Sequence, residues 1–450
     1  MYLGIMLLVI CIWFLAFKRP VYEAVLLAFI VLLTVTGTWN NVLDYIDKGL
    51  STSLLYSMVA FVAMSILLTK TKIVDSCIAV ILSLIGRIRG GAGYTAVIAS
   101  AFMGALSGSG PGNVMATGAL TIPAMKRTGF PAELAANVES NASYLGNMIP
   151  PSSNIVAAMA AFSTFAAGAG IADVSQGKFW IVLWGIGAWF IAQRIIMVWA
   201  FCRYYKVQPM SKNDLPDLKE TFKVGWQAML LPVVILLPFI LDAAFADNFF
   251  VFRLGPDGAK YLSKSVLLFV AGLSSLYTCL IAKDKSAITP NKIAKMFAGG
   301  VKSISPAIGV CVFGYMIGAM FEDLGVAESL GETMATWNFG KLGMILAICA
   351  ITCVMGMVVP GSSQVVIFGP VFITLLANVG VNPLLAAAML PCICGVMCGI
   401  TPPLGLGMYA GMTIAGSDFS KTFKNNLWWV IIQFIMQVVV LMGWLPIFGL

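Results

Sequence analysis

Histidine is absent from this chain of 450 residues. With it go the commonest general base and the side chain most often found on catalytic zinc. Charge is nearly as scarce, with 10% of residues charged against 60% hydrophobic, where a soluble domain carries about 25% charged residues. So little polar surface cannot coat a water-soluble globule, and lipid must cover much of it. The formal charge of +8 would suit nucleic acid in a soluble protein. Here the basic residues lie between apolar segments, where they determine topology instead. Of the ten cysteines, Cys11, Cys77, Cys279, Cys311, Cys349 and Cys353 fall in apolar windows and read as small hydrophobes. Cys392, Cys394 and Cys398 have no histidine to complete a metal site and sit beside helix-breaking prolines, so they read as packing.

What is present is a succession of apolar windows. A bilayer-spanning helix needs roughly 20 mostly apolar residues, and such stretches recur along the whole length. Ile5 to Phe17 and Val21 to Thr36 continue into further apolar segments, so the first is expected to be a retained helix rather than a cleaved signal. Lys18 and Arg19, Lys70 and Lys72, the stretch from Arg203 to Lys223 and that from Lys283 to Lys302 are expected on the cytoplasmic side, with Met1 outside. Two helices, about 225 to 245 and 263 to 282, then flank an outer segment from Asp247 to Lys264. Segment 73 to 90, framed by Lys72, Asp75, Arg87 and Arg89, reads either as an arm along the interface or as a short span. Trp39, Trp180, Trp226, Trp428 and Trp429 suit interface belts.

The most informative feature is an internal repeat. Ser107-Gly-Ser-Gly-Pro111, then Gly129-Phe-Pro131 with an Ala-rich helix, then Met148-Ile-Pro-Pro-Ser-Ser-Asn154 is followed later by Pro360-Gly-Ser-Ser-Gln364, Gly380-Val-Asn-Pro383 with an Ala-rich helix, and Gly399-Ile-Thr-Pro-Pro-Leu404. One offset aligns Ala135 and Ala136 with Ala387 and Ala388, and Pro150 with Pro402. Proline cannot continue a helix cleanly, and non-helical backbone at membrane depth survives only inside protein or along a wet cavity. Paired interruptions in two halves therefore point to a transporter's binding site, where carbonyls meet a cation and helix N-termini meet an anion.

These blocks carry a resemblance. Ser107 to Val114, Thr121-Ile-Pro-Ala-Met-Lys-Arg-Thr-Gly-Phe130 and Ile149 to Ser152 resemble the first-half signature of TRAP transporter large permease subunits. Val359 to Gly416, with Gly399-Ile-Thr-Pro-Pro-Leu-Gly405, is similar to the second. The wording from Thr117 to Pro151 looks closest to the branch served by TAXI-type receptors. The likeness spans most of the chain. It implies an all-α polytopic membrane protein of two inverted repeats with re-entrant helical hairpins and broken helices, an elevator-type transport domain moving against a scaffold. It also implies sodium-driven uptake of small organic acids, a location in the bacterial inner membrane, and no enzymatic activity. The implied partners are a small membrane subunit and a periplasmic solute receptor. The small subunit is expected as a separate chain, this one having no room for the fused form. Residues 1–90 would be N-terminal scaffold helices and an interfacial arm, and 91–175 the first hairpin and broken helix. Residues 176–300 would return to scaffold, 301–420 would form the second hairpin and broken helix, and 421–450 the last scaffold helix.

Carried onto this sequence, the hairpins turn near Ser107 to Asn113 and Gly361 to Gln364, opposite the Pro-Pro breaks. The candidates for sodium and substrate contacts are Ser107, Ser109, Gly110, Asn113, Asn141, Asn147, Pro150, Ser362, Ser363, Gln364, Gly399, Thr401 and Pro402. The sodium ligands are drawn from Ser107, Ser109, Asn147, Ser362, Gly399 and Thr401. The plainer alternative is that these residues cap helix ends. Glu133, Asn137, Ser140, Tyr144 and Asn147 recur on one helical face, which should avoid lipid. Glu139 lies off that stripe as a rare acid in an apolar stretch, either paired or proton-binding in the pathway, or idle near the interface. Lys126 and Arg127 read as a cytoplasmic turn. Three rivals stay open: a receptor-independent sodium/dicarboxylate symporter, an intramembrane enzyme, and a channel.

Overall fold

The computed structural model describes residues 2–13, 17, 19, 21–51, 53–71, 73–107, 110–150, 152–211, 214–282, 288–326, 329, 339–357, 360–402 and 404–450. Regular structure among them is entirely helical. In hydrocarbon every backbone N–H and C=O has to be satisfied within its own segment, which a helix achieves and an open sheet does not.

The helices are α1 (Tyr2–Cys11), α2 (Val21–Thr36), α3 (Val42–Ser51), α4 (Ser53–Lys70), α5 (Ile73–Ile85), α6 (Gly91–Ser107), α7 (Gly110–Arg127), α8 (Ala132–Tyr144), α9 (Ser153–Gly168) and α10 (Gln176–Tyr204). After them come α11 (Leu218–Met229), α12 (Leu231–Phe245), α13 (Val251–Ile281), α14 (Pro290–Asp323), α15 (Lys341–Gly356), α16 (Gly361–Asn378), α17 (Pro383–Leu390), α18 (Met397–Ile400), α19 (Leu406–Ala415) and α20 (Phe419–Leu441). Five stretches among the described residues are long and apolar enough to cross a bilayer: Gln176–Tyr204, Leu218–Asp242, Gly361–Asn378, Pro383–Ile400 and Phe419–Leu441. Outward-facing Phe252, Phe269, Leu276 and Leu280 are more than half exposed, a surface that suits lipid and not water.

The packing interleaves the two halves. α8 lies against α6, α7 and α19, while α9 lies against α16 and α17. α1 to α4 group with α13 and α14, and α10 and α20 run along the core. Hydrogen bonds fix which ends meet. Arg89 Nε donates to Val207 O (2.8 Å), Gln208 N to Thr128 O (2.9 Å) and Lys126 Nζ to Ala415 O (2.7 Å). The start of α6 and the ends of α7, α10 and α19 therefore share one end of the bundle. At the other end Lys341 Nζ reaches Met442 O (3.4 Å), and the chain after α20 folds back so that Pro446 O accepts from Trp189 Nε1 halfway along α10 (2.9 Å). α6 and α7 thus enter and leave from the first end, α15 starts from the second, and the α8–α9 and α17–α19 passages run in opposite directions.

Several sequence expectations shift in detail. The second hairpin turns earlier than Gly361 to Gln364, because Pro360 caps α16 and Gly361, Ser362, Ser363 and Gln364 already form its first turn. The segment Asp247 to Lys264, read as a link, is helical, with a kink at Gly255 (φ 74°). The span expected at 225 to 245 is two abutting helices, and the one at 263 to 282 is the second part of α13. The basic stretch ending at Lys302 runs into α14, which carries on past residue 300. Four members of the stripe and Glu139 face the interior: Asn137, Glu139, Ser140, Tyr144 and Asn147 are buried, whereas Glu133 is only half-buried. Glu139 is thus enclosed by protein. Lys18, Lys72, Ser109, Pro151, Lys283, Lys285, Val359 and Pro403 lie outside the described residues.

Candidate functional site: two broken spans and a buried carboxyl

The first break starts where α8 tightens into a 3-10 turn at Leu145–Asn147, and α9 resumes at Ser153. Pro150 is buried there. Ser152 Oγ donates to Asn147 O (3.0 Å), satisfying one carbonyl that the break releases. Asn147 Nδ2 donates across to Gly395 O (3.4 Å), in the other half of the chain.

The second passage deforms twice. At Pro391 the missing N–H ends α17 and the chain widens into a π-helical stretch, Pro391–Val396, a form that often marks functional positions. After α18, Thr401 turns extended (φ −100°, ψ 118°) and Gly405 takes the left-handed region (φ 30°) before α19 begins. Three ties close this break. Thr401 Oγ1 donates to Met397 O (2.6 Å), Leu404 N to Met357 O (3.0 Å), and Asn426 Nδ2 of α20 to the freed Ile400 O (2.5 Å).

Tyr144 joins the pieces. Its ring is buried in a cradle of Gly110, Gly399 and Gly407, and a Cβ on any of the three would run into it. Gly110 opens α7 at the tip of the first hairpin, Gly399 precedes the second break, and Gly407 follows it. The first hairpin therefore ends at the place where both passages are interrupted. Backbone contact is equally close elsewhere. A Cβ on Gly104 would stand 2.7 Å from Ser143 O and 2.9 Å from Gly146 Cα, and one on Gly361 would meet Cys394 and Gly395 backbone.

The predicted residues divide accordingly. Gly110, Asn147, Gly399 and Thr401 converge on the breaks. Ser107 closes α6 beside the same hairpin tip, and Pro402 sits half-buried in the second break. Ser363 and Gln364 are buried and Ser362 half-buried in the first turn of α16. Asn113 serves the hairpin, donating from Nδ2 to Ser100 O (2.8 Å). Asn141 reaches the second break only through Asn426, whose Nδ2 caps Ile400 O. Asn141 Nδ2 donates to Asn137 O (2.9 Å) and Asn426 Oδ1 (3.3 Å), on the α20 side.

Sequence reasoning missed the Tyr144 cradle, the π-helical stretch with Gly395, the Asn426 cap, and what surrounds Glu139. That carboxyl is fully buried and receives hydroxyls from Ser100 (2.6 Å) and Ser143 (2.9 Å) and, at shorter range, Thr117 and Thr121. Spacing held a clue, since Thr117 and Thr121 share a face one turn apart, as do Glu139 and Ser143. A separate groove of about 400 Å³ between α9, α14 and α16, lined by Phe165, Phe321, Val366 and Pro370, is apolar and lies away from the breaks.

Oppositely directed, interrupted passages with a hairpin tip packed on the interruptions define a membrane transporter rather than an enzyme. The chain belongs to the family described as "Tripartite ATP-independent periplasmic transporter, DctM component", which residues 8–448 match. It is similar to the C4-dicarboxylate TRAP transporter large permease protein DctM of Pseudomonas aeruginosa, with 27% identity over 365 residues, 79% of this chain and 76% of that protein. It is also similar to the sialic acid TRAP transporter large permease protein SiaM of Vibrio cholerae, with 22% identity over 424 residues, 92% and 90% of the two chains. In fold it resembles the MtrF efflux pump of Neisseria gonorrhoeae (TM-score 0.65, 14% identity, 92% of this chain and 87% of that one). A second neighbour in fold is the YdaH transporter of Alcanivorax borkumensis (TM-score 0.58, 14% identity, 88% and 87%). The chain is thus a multi-pass large permease subunit, in a family that works with a small permease subunit and a periplasmic receptor.

Proposed function

We propose that this subunit imports small organic acids by sodium-coupled, elevator-type transport across the bacterial inner membrane, with a separate small subunit beside it and a periplasmic receptor, of the TAXI type, delivering the solute. The end of the bundle bearing Arg89, Lys126 and Arg203 faces the cytoplasm, following the excess of basic residues there. Residues 91–175 and 301–420 move, and the rest serves as scaffold.

The observation that carries this reading is the meeting of the two interrupted passages in the buried core, Asn147 Nδ2 on Gly395 O. Sodium wants hard oxygen ligands. Asn147 spends its Nδ2 on Gly395 and keeps Oδ1 for a cation. Gly399 lies among the last carbonyls of α18, which lack helical partners, and Thr401 offers a hydroxyl and a carbonyl. Ser107, Ser109 and Ser362 complete the candidate set at the two hairpins. For an anion, α9, α16 and α19 begin beside the breaks, where helix N-termini favour negative charge. The relatives' names, C4-dicarboxylate, isethionate, 2,3-diketo-L-gulonate and sialic acid, are all of organic acids, and all but the sulfonate isethionate are carboxylates, which supports carboxylates as the solute class.

The test is reconstitution into liposomes with the small subunit and a receptor encoded nearby, followed by uptake of labelled acids with and without a sodium gradient. Sodium-dependent uptake that needs the receptor is expected, with Asn147→Ala and Ser362→Ala each abolishing the sodium dependence. Full sodium-dependent uptake by both variants would remove these residues from the site, and uptake without receptor would favour a stand-alone symporter.

A further inference from the structure

We propose that Glu139 is a proton-carrying site of this transporter, distinct from the sodium ligands at the breaks and closed by the first hairpin. The inference rests on the transport reading above.

Glu139 stands midway along α8 with no accessible surface. A lone buried carboxylate is expensive, so it is normally paired with a cation or neutralised by a proton. No cation pairs with it: the ion pairs among the described residues are Arg19 with Glu23 and Lys48 with Asp323. The elements packed on α8 carry titratable groups away from this point. Lys126 and Arg127 end α7, and Lys126 is committed to Ala415 O. Glu133 opens α8, and Tyr94 lies in the first turn of α6. Tyr409 is on α19, Asp418, Lys421 and Lys424 begin α20, and Arg194 is on α10. Tyr144, Cys392, Cys394 and Cys398 gather toward the breaks. None hydrogen-bonds to the carboxyl.

Four hydroxyls do, and their proton inventory is informative. Oε2 meets only Thr121, whose Oγ1 also lies 3.1 Å from Thr117 O, the carbonyl one turn back. Thr117 likewise has Asn113 O at 2.8 Å. With Thr121 donating to Thr117 O, Oε2–H donates to Thr121 Oγ1. Oε1 accepts from Thr117, Ser100 and Ser143, so each of these contacts holds one hydrogen. With the proton gone, the Thr121 hydroxyl rotates to donate to the carboxylate. A cage that satisfies both states suits a group that gains and loses a proton. Sodium would need a void among its oxygen ligands, and here the hydroxyls stand directly on the carboxylate oxygens.

Position supplies the link to transport. Three of the four hydroxyls, Ser100, Thr117 and Thr121, belong to the hairpin whose tip holds Tyr144. A Cβ on Gly118 would stand 3.0 Å from Glu139 Cγ and 3.2 Å from Ile414 Cδ1, so α7 and α19 seal the site tightly. When the hairpin loosens, hydronium on one side gives its proton to Oε2, forming the O–H bond and leaving water. On the other side water takes it back, restoring the carboxylate.

Two arms test this. In the first, infrared spectra of the purified subunit in lipid, free of transport, are compared with Glu139→Gln. A carboxylic-acid C=O band that the variant lacks, and that disappears reversibly at high pH, is expected. Identical spectra across pH would overturn the proposal. Should Glu139→Gln fail to assemble, Thr121→Val replaces it, with a shifted band expected and an unmoved band overturning the idea. In the second arm, liposomes with the small subunit and receptor are given a fixed sodium gradient and a variable pH gradient. One proton per cycle makes about one pH unit worth about a tenfold change in solute accumulation. Glu139→Gln should lose that tenfold response, read relative to the uptake each preparation shows at equal pH on both sides, and an unchanged response would refute the role. Absence of solute uptake in every preparation would defeat the transport reading while the infrared arm still decides the proton site.

Discussion

The two passages through the core share a register and differ in chemistry. Under the offset that aligns Pro150 with Pro402, Glu139 corresponds to Pro391, Ser140 to Cys392, Ser143 to Gly395 and Asn147 to Gly399. In the first passage these positions are polar, and α8 stays regular up to Tyr144. In the second they are proline, cysteine and glycine, and the helix swells into a π-helical stretch. Where one half places functional groups, the other removes side chains so that backbone approaches closely: Asn147 and Asn154 both reach Gly395. One half of the site is built from side chains and the other from exposed peptide groups, each needing the other.

Position 399 offers the strongest way to break that division. Gly399→Val drives its Cβ into the Tyr144 ring, which Gly110 and Gly407 prevent from retreating. Overpacking of this kind typically costs about 1–3 kcal/mol, and here it also parts the hairpin tip from the second break. Loss of transport and a large drop in melting temperature are expected. Tyr144→Ala alone leaves a cavity costing about 3–5 kcal/mol, as for other aromatic truncations. The double variant should be more stable than the two separate losses predict, because each relieves the other's defect. Simple additivity in a thermal-unfolding cycle would mean that the cradle is not the contact that matters. At the matching position, Asn147→Ala should cost only about 0.5–1.5 kcal/mol, one net hydrogen bond.

Asn426→Ala comes next in size. Its side chain satisfies Ile400 O, freed where α18 ends, and an unpaired buried carbonyl costs about 1–3 kcal/mol. The first break has a local counterpart in Ser152 on Asn147 O, so Ser152→Ala should be similar in size. If melting is unmoved in Asn426→Ala, water is capping Ile400 and α20 does not anchor the second break.

How much of this could be read from sequence follows the range of the physics. The Pro-Pro breaks were legible because two adjacent prolines beside glycine and serine or threonine act locally, whereas single prolines such as Pro123 and Pro370 sit inside continuous helices. The burial of the stripe was legible because hydrocarbon penalises polar groups. Gly361-Ser-Ser-Gln364 misled because Gly and Ser suit a helix's first turn as well as a loop, and Pro360 tips it to the former. Asp247 to Lys264 fits an outer segment between two spans, yet the chain stays helical there around a kink at Gly255. The Tyr144 cradle, the Asn426 cap and the hydroxyls on Glu139 join residues from distant segments, which no local pattern encodes.

The smallest expected effect concerns the other buried charge. Arg194 on α10 is fully buried, its Nη1 donating to Gln193 and Gln433, with Nε and Nη2 lacking a partner among the described residues. Gln433 and Gln437 in turn reach Cys392 through Sγ (3.1 Å) and O (3.2 Å), so this cation touches the second passage where the first carries Ser140. Replacing a buried ionic group with an apolar one of similar volume is often neutral or stabilising by about 1–4 kcal/mol. Against that stands the loss of Gln433's donor, about 1–3 kcal/mol. The two nearly cancel, so Arg194→Met should leave the melting temperature close to wild type, whereas Glu139→Leu, which strands four hydroxyls, should lower it clearly. A collapse of Arg194→Met comparable to that of Gly399→Val would show that an anionic group pairs with Arg194 in the working protein, making α10 part of the site rather than its support.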